Sequence, residues 1–171
     1  AEIVYVLPNN KNIIMAAQQC VELVPEKKVI VLQAKTVPQG ISAMIVVDPD
    51  GTEAENTAAM QEAMSRVTTM EITYAARDSE FDGNAIKAGD YLALVDNQLF
   101  DTEKDLDAVL DKLAQAAADR DAEFLSIFYG ADVSAADAEQ AKARFAALCP
   151  DAEITLLEGG QPVYHYLISA E

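Results

Sequence analysis

An α/β fold with a mixed sheet is the class this sequence predicts, and three observations carry that reading. Short apolar, β-branched runs alternate with helical periodicity in the first and last thirds of the chain, as in α/β proteins. The middle third is a succession of strand-like runs and turn residues that reads as antiparallel. With 171 residues, 51% of them hydrophobic, the chain has the material for one ordinary domain with a real core. We expect a single domain over residues 1–171, with two possible lobes meeting near residues 66–80.

The elements follow in order. Residues 3–7 form a buried strand that ends at Pro8-Asn9-Asn10. From Asn12, the positions Ile13, Ile14, Ala17, Cys20, Val21 and Val24 recur at helical spacing until Pro25 stops the helix. Residues 28–32 are a second buried strand, giving a parallel βαβ beginning. Thr36-Val37-Pro38-Gln39-Gly40 reads as a turn, and residues 41–47 fit a short helix better than a strand. Asp48-Pro49-Asp50-Gly51 is a loop, after which Thr52 and Glu55 have the spacing of a capping box for a helix to about Arg66.

Residues 69–76 and 91–95 are strands, with turns at Asp82-Gly83 and Ala88-Gly89, and Asp96-Asn97 makes a central hairpin into residues 98–100. Asp101 or Thr102 is expected to cap a long helix carrying the stripe Leu106, Val109, Leu110, Leu113 and Ala117. Residues 123–129 are an apolar internal strand, and Ser134 with Asp137 opens a helix to Leu148. Residues 154–157 and 163–169 close the chain as strands around Glu158-Gly159-Gly160-Gln161-Pro162.

Composition excludes several classes of function. There are 29 acidic and 12 basic residues, a formal charge of −17. Nucleic acid and anionic membrane surfaces both reward a basic face, so neither is an expected partner. The acidity is uneven, because residues 1–47 hold Lys11, Lys27, Lys28 and Lys35 against Glu2, Glu22 and Glu26. An acidic partner or an anion therefore has its best approach there. Two widely separated cysteines, Cys20 and Cys149, make no disulfide framework. Both sit at core-compatible helical positions and are expected to be buried. No run approaches the roughly 18 apolar residues of a membrane span, so direct membrane insertion is not expected. No secretory leader is visible either. These features together suggest a reducing, cytoplasmic setting. The chain opens on a strand without an initiator Met, as an excised domain would.

No catalytic constellation is legible. The phosphate-binding patterns GxxxxGK[ST] and GxGxxG are missing, and so is the GxSxG nucleophile elbow. Asp48-Pro49-Asp50-Gly51 places its glycine too early for a calcium loop and reads as a turn. One histidine, His165, with two distant cysteines is not a zinc site. We therefore expect no catalytic residues, no metal and no cofactor in this chain.

Candidate binding residues lie elsewhere. The strand-to-helix segment Leu7-Pro8-Asn9-Asn10-Lys11-Asn12 has three amides and a lysine, more than helix capping requires. Gln39 and Gly40 lie on the next such segment, and loops at the C-terminal ends of parallel strands converge. Gly160 and Gln161 form a third, weaker candidate. The ligand would be an anion or a protein partner.

These same segments carry a resemblance. Leu7-Pro8-Asn9-Asn10-Lys11-Asn12, Val37-Pro38-Gln39-Gly40, Tyr74-Ala75-Ala76-Arg77-Asp78 and Gly159-Gly160-Gln161-Pro162-Val163-Tyr164 resemble, in order and over essentially the full chain, the C-terminal domain of bacterial fatty acid kinase A, of the dihydroxyacetone-kinase-like (DAK phosphatase-domain) proteins. The resemblance implies a DegV-like fold and a parent kinase, with N-terminal and middle domains outside this chain. ATP and Mg belong to that N-terminal domain, whose Asp-Gly-Asp-Thr-Gly motif does not occur here. It further implies a DegV-type fatty-acid carrier as partner, with the acyl phosphate feeding phospholipid synthesis. Residues 96–166 also resemble the DegV-type lipid-binding fold itself. That fold's His-Gly-Pro-Gly-like loop is replaced here by Gly159-Gly160-Gln161-Pro162, with the histidine three residues after the proline. Two functions follow as expectations: a non-catalytic module that engages the carrier, or a small-ligand or lipid-binding domain holding a carboxylate or phosphate at its amide-rich turns.

Overall fold

The computed structural model describes residues 2–81 and 83–171, with the side chain of Asn84 also outside the description. Asp82 of the expected Asp82-Gly83 turn is therefore not among the described residues. The protein is a mixed α/β fold whose chain divides into two compact units between Val67 and Thr68.

The first unit holds a parallel strand pair, β1 (Ile3–Val6) and β2 (Lys28–Val31), in register Ile3 to Lys28. Between them runs a short helix, α1 (Ile14–Cys20), continued by a 3-10 turn over Val21–Leu23. Its N-terminal flank is Ile13, which supplies no side-chain cap, so the amides before it do not serve as the helix cap. None of its residues is buried, and Cys20 is exposed, contrary to expectation. The apolar spacing is real, but the helix buries no face.

Packing in this unit comes instead from α2 (Val37–Ile45) and α3 (Glu53–Arg66). Leu32, Ala34, Ala43, Met60 and Met64 are buried together, with Tyr5, Leu7 and Ile30 against them. The second helix begins earlier than the sequence suggested. Thr36 caps it by accepting from the Gln39 N–H, and Pro38 in the first turn forfeits an N–H that would lack a partner anyway. Gln39 and Gly40 thus lie in a helix rather than in a turn. The capping box at Thr52 and Glu55 forms as read, and its hydrogen bonds from Thr52 hold the Glu55 carboxyl below its usual range.

The second unit, Thr68–Glu171, is built on a six-stranded sheet. Its strands are β3 (Thr68–Tyr74), β6 (Tyr91–Val95), β7 (Gln98–Glu103), β8 (Phe124–Tyr129), β9 (Glu153–Glu158) and β10 (Tyr166–Ala170), in the order β7-β6-β3-β10-β8-β9. Only β8 and β9 run parallel; every other pairing in this sheet is antiparallel. A small hairpin, β4 (Ser79–Phe81) and β5 (Asn84–Ile86), stands apart from it. Asp96 and Asn97 both take positive φ in the β6–β7 turn, the left-handed pair that matches strand twist.

Two helices cover one face of the sheet, α4 (Leu106–Ala118) and α5 (Ala135–Leu148). Val109, Leu113, Ala141 and Phe145 from the helices meet Met70, Ile72, Ile127 and Ile168 from the strands, all fully buried. The cap of α4 is Asp105, not Asp101 or Thr102. Those two residues extend β7, paired with Ala93 and Leu92, and Lys112 binds the Asp101 and Glu103 carboxylates at 2.5 and 2.6 Å. Residues 163–165 of the expected last strand are loop, and the strand proper starts at Tyr166.

Candidate functional site

In the first unit the amide-rich segment follows β1. Asn9 turns the chain with φ 56°, a left-handed conformation that Asn tolerates better than most side chains. The Asn12 N–H then donates to Asn10 Oδ1 at 2.8 Å, closing a local turn before α1. Asn10, Lys11 and Asn12 are all exposed.

The loop after β2 leads into α2, and here the two segments meet. A Cβ built on the buried Gly40 would lie 2.2 Å from Asn9 Oδ1 and 2.9 Å from its Cγ. The Asn9 amide thus lies directly against the α2 backbone, at a spot only glycine leaves open. Asn9 Oδ1 is buried there without a hydrogen-bond partner. Gln39 is half-buried and folds back so that its Oε1 accepts from the Lys35 N–H at 2.8 Å. Beside it, Val31, Gln33, Lys35, Gln39, Gln61, Met64 and Ser65 line an open cavity of about 390 Å³. Four of those seven residues are amides or lysine, so the cavity suits hydrogen-bonding groups better than an acyl chain.

Gly160 and Gln161 belong to the second unit. Gly160 has φ 63°, and the Gln161 amide nitrogen donates to the carbonyls of Phe128 (3.0 Å) and Tyr164 (3.4 Å). Its donors are spent inside the loop, so Gln161 positions the backbone. The neighbouring His165 is held edge-on by Tyr74 and Tyr91, with ring centroids 6.0 and 5.3 Å away. Burial lowers its pKa, and Asp132 works in the opposite direction. Its Nδ1 is buried without a partner. Val163, expected to open the last strand, instead takes φ 72° in this loop. Glu71 is buried on the sheet face opposite the helices, and burial, with Asp96 nearby, raises its carboxyl above the usual range.

Among the described residues no group of three or more His, Cys, Asp or Glu side chains could hold a metal ion. No described helix is long and apolar enough to cross a membrane. Cys149 is buried, and burial raises its thiol pKa, the reverse of what a nucleophile needs.

Comparison of structures first defines the class: this is a DegV-like fold. It is similar to a DegV family protein from Thermus thermophilus described as fatty-acid binding (TM-score 0.70, 10% identity, covering 100% of this chain and 71% of that one). A DegV family protein from Eubacterium eligens, loaded with heptadecanoic acid, matches with TM-score 0.69 at 16% identity, over 100% and 73% of the two chains. The Streptococcus pneumoniae fatty acid kinase (Fak) B3 protein, loaded with linoleic acid, gives 0.64 at 10% identity, over 99% and 70%. Sequence then settles the family. The model of the FakA-like C-terminal family of fatty acid kinases matches residues 1–171, and the chain belongs to that family. It is 37% identical to Protein YloV of Bacillus subtilis over 171 residues and 36% identical over 167 residues to protein SAR1202 of Staphylococcus aureus strain MRSA252. Those matches cover 100% and 97% of this chain but only 31% and 30% of the relatives, so the chain spans about a third of their length.

Proposed function

We propose that this chain is the non-catalytic module of a fatty acid kinase that engages a DegV-type fatty-acid-binding carrier, so that the carried acyl group is phosphorylated elsewhere in the parent protein. Family membership supports the kinase setting. The observation that carries the docking role is the meeting of Asn9 with Gly40, which gathers the first two amide-rich segments at one edge of the β1–β2 pair and leaves Asn10, Lys11 and Asn12 exposed. ATP and Mg are assigned to an N-terminal kinase domain, with a middle domain between it and this one. In this reading the parent acts in the cytoplasm and its product enters phospholipid synthesis.

An exposed lysine flanked by amides suits recognition of a carboxylate-bearing protein surface. A contact of this kind costs about 2–5 kcal/mol when one partner is removed after burial on docking. The test is Lys11→Glu with Asn12→Ala in the full-length kinase, a pair that spares the Asn10 turn. Stability should stay within about 0.5 kcal/mol of the parent while carrier-dependent lipid phosphorylation falls. A folded variant with full carrier-dependent turnover overturns the assignment of this edge. Native mass spectrometry addresses the alternative reading, since an acyl chain co-purifying with the isolated protein would make it a lipid-binding domain instead.

A further inference from the structure

Alternation along the chain after β2 sorts its side chains to two sides. Leu32, Ala34 and Thr36 are 2%, 0% and 3% exposed, whereas Gln33 and Lys35 between them face solvent. The outward pair meets the last turns of α3, where Gln61, Met64 and Ser65 stand at helical spacing on one face. Gln39, in the first turn of α2, completes with Val31 the open cavity of about 390 Å³. That is the size of a small-molecule site.

The lining is chemically one-sided. No carboxylate is among its described residues, in a chain that has 29 acidic side chains. Lys35 has no ion-pair partner among the described residues, whereas Lys28 of the same unit is paired with Glu53. Gln39 is fixed by its Oε1, which accepts from the Lys35 N–H at 2.8 Å, so the group left at its tip is the NH2, a donor only. Gln33 and Gln61 add two exposed amides. Ser65 donates to the Glu62 carbonyl at 2.7 Å and so keeps acceptor capacity alone. The Glu62 carboxylate itself is taken up by Arg66. The helix ends agree with this lining, because Gln39 lies at the positive end of α2 and Arg66 offsets the negative end of α3.

We propose that this cavity binds a soluble phosphate monoester, with Lys35 as the counter-charge and the amides of Gln33, Gln39 and Gln61 as donors to the phosphate oxygens. The donor set selects phosphate over carboxylate. A planar carboxylate is best matched by the fork of an arginine, and no arginine is among the described lining residues. A lysine acts as a point charge, and amides brought from three elements suit the spread oxygens of a tetrahedral dianion. The Ser65 acceptor suits a hydroxyl of the ester, and Met64 with Val31 gives its carbon skeleton an apolar floor. A net charge of −17 keeps the chain off an anionic bilayer, so the ligand is a free ester rather than a lipid head group. The inference does not rest on the carrier reading, whose Lys11 and Asn12 do not line this cavity.

The experiment is titration of the purified chain with inorganic phosphate near neutral pH at constant ionic strength, read by phosphorus NMR line width and by melting temperature. We expect saturable binding with a Kd of about 1 mM and a melting temperature that rises with occupancy. Lys35→Met should weaken binding about tenfold or more, and Gln61→Leu by a smaller factor. Lys27→Met, at an exposed lysine of the same unit outside the cavity, should bind as the parent does. Acetate at the same concentration should not compete. A parent that responds to phosphate no more than to sodium chloride overturns the inference and leaves the carrier reading standing. An equal response in Lys35→Met overturns it too. Should Lys35→Met fail to fold, unchanged affinity in Gln61→Leu, or acetate binding as tightly as phosphate, overturns it on its own. Binding to vesicles of phosphatidylcholine with phosphatidic acid, without a response to free phosphate, overturns the soluble ligand.

Discussion

Gly40→Ala reverses the usual sign of a glycine replacement. Gly40 lies inside α2, where alanine in place of glycine ordinarily gains about 0.5–1 kcal/mol. Here the new methyl would stand 2.2 Å from Asn9 Oδ1 and 2.9 Å from Asn9 Cγ, so the amide must leave its seat. Forcing an extra carbon into packed structure costs about 1–3 kcal/mol. Set against the helix gain, this leaves a net loss of up to about 2.5 kcal/mol, centred at about 1 kcal/mol. In a chain of this length the central value is a fall of about 2–4 °C in melting temperature. Thermal unfolding by circular dichroism should be run on the parent, Gly40→Ala, Asn9→Gly and the double variant. Glycine adopts the φ of 56° at position 9 freely, so Asn9→Gly should cost little. With the amide gone the new methyl has room, and the double variant should melt at least as high as Asn9→Gly. The coupling between the two changes should be about 1 kcal/mol or more. A Gly40→Ala protein that melts above its parent, or a coupling near zero, refutes the contact on which the convergence of the two segments rests.

Three further outcomes follow. Because burial raises the folded Glu71 carboxyl pKa, ionisation opposes folding, and the penalty is present above that raised pKa and relieved as pH falls through it toward the unfolded value. Glu71→Gln should therefore melt higher than the parent near pH 7.5, with the advantage shrinking in acid; a gain that persists unchanged at pH 4 contradicts this. One thiol, the exposed Cys20, should react with an aromatic disulfide reagent in the native protein, and Cys149 only after unfolding. Rapid native labelling of two thiols would show Cys149 to be accessible. Calorimetry should detect no ATP-Mg binding at micromolar concentration, because phosphoryl transfer depends on a metal and donors cradling the phosphates, and the sequence has no motif for them; micromolar affinity with turnover would make this chain a kinase in its own right.

Much of the fold was legible because local chemistry and tertiary packing agree. The capping box at Thr52, the Asp96-Asn97 hairpin and the stripe on α4 each announce an element that the structure contains. The misses have physical causes. Asp101, Thr102 and Asp105 are all competent caps, and only pairing with β6 and the grip of Lys112 on Asp101 and Glu103 assigns the first two to a strand. Cys20 carries a helical apolar pattern, yet α1 buries none of its residues. At the candidate site, the nearness of the Asn9 and Gly40 segments could be anticipated from parallel strands. The contact between the two residues could not, since it depends on the backbone path. Positive φ at Val163 leaves no sequence signal, because the residue type argues against it.

Competition measures the carrier-docking claim most directly. The isolated chain is added in increasing excess to a reaction of full-length fatty acid kinase, its fatty-acid-loaded carrier and ATP-Mg, and acyl phosphate formation is followed. A module that docks the carrier without catalysing must sequester it. Turnover should fall as the chain is added, recover when more carrier is supplied, and fall less with Lys11→Glu and Asn12→Ala in the added chain. Full turnover at an excess of about 100 μM chain, a concentration that captures even weak micromolar complexes, would contradict the account.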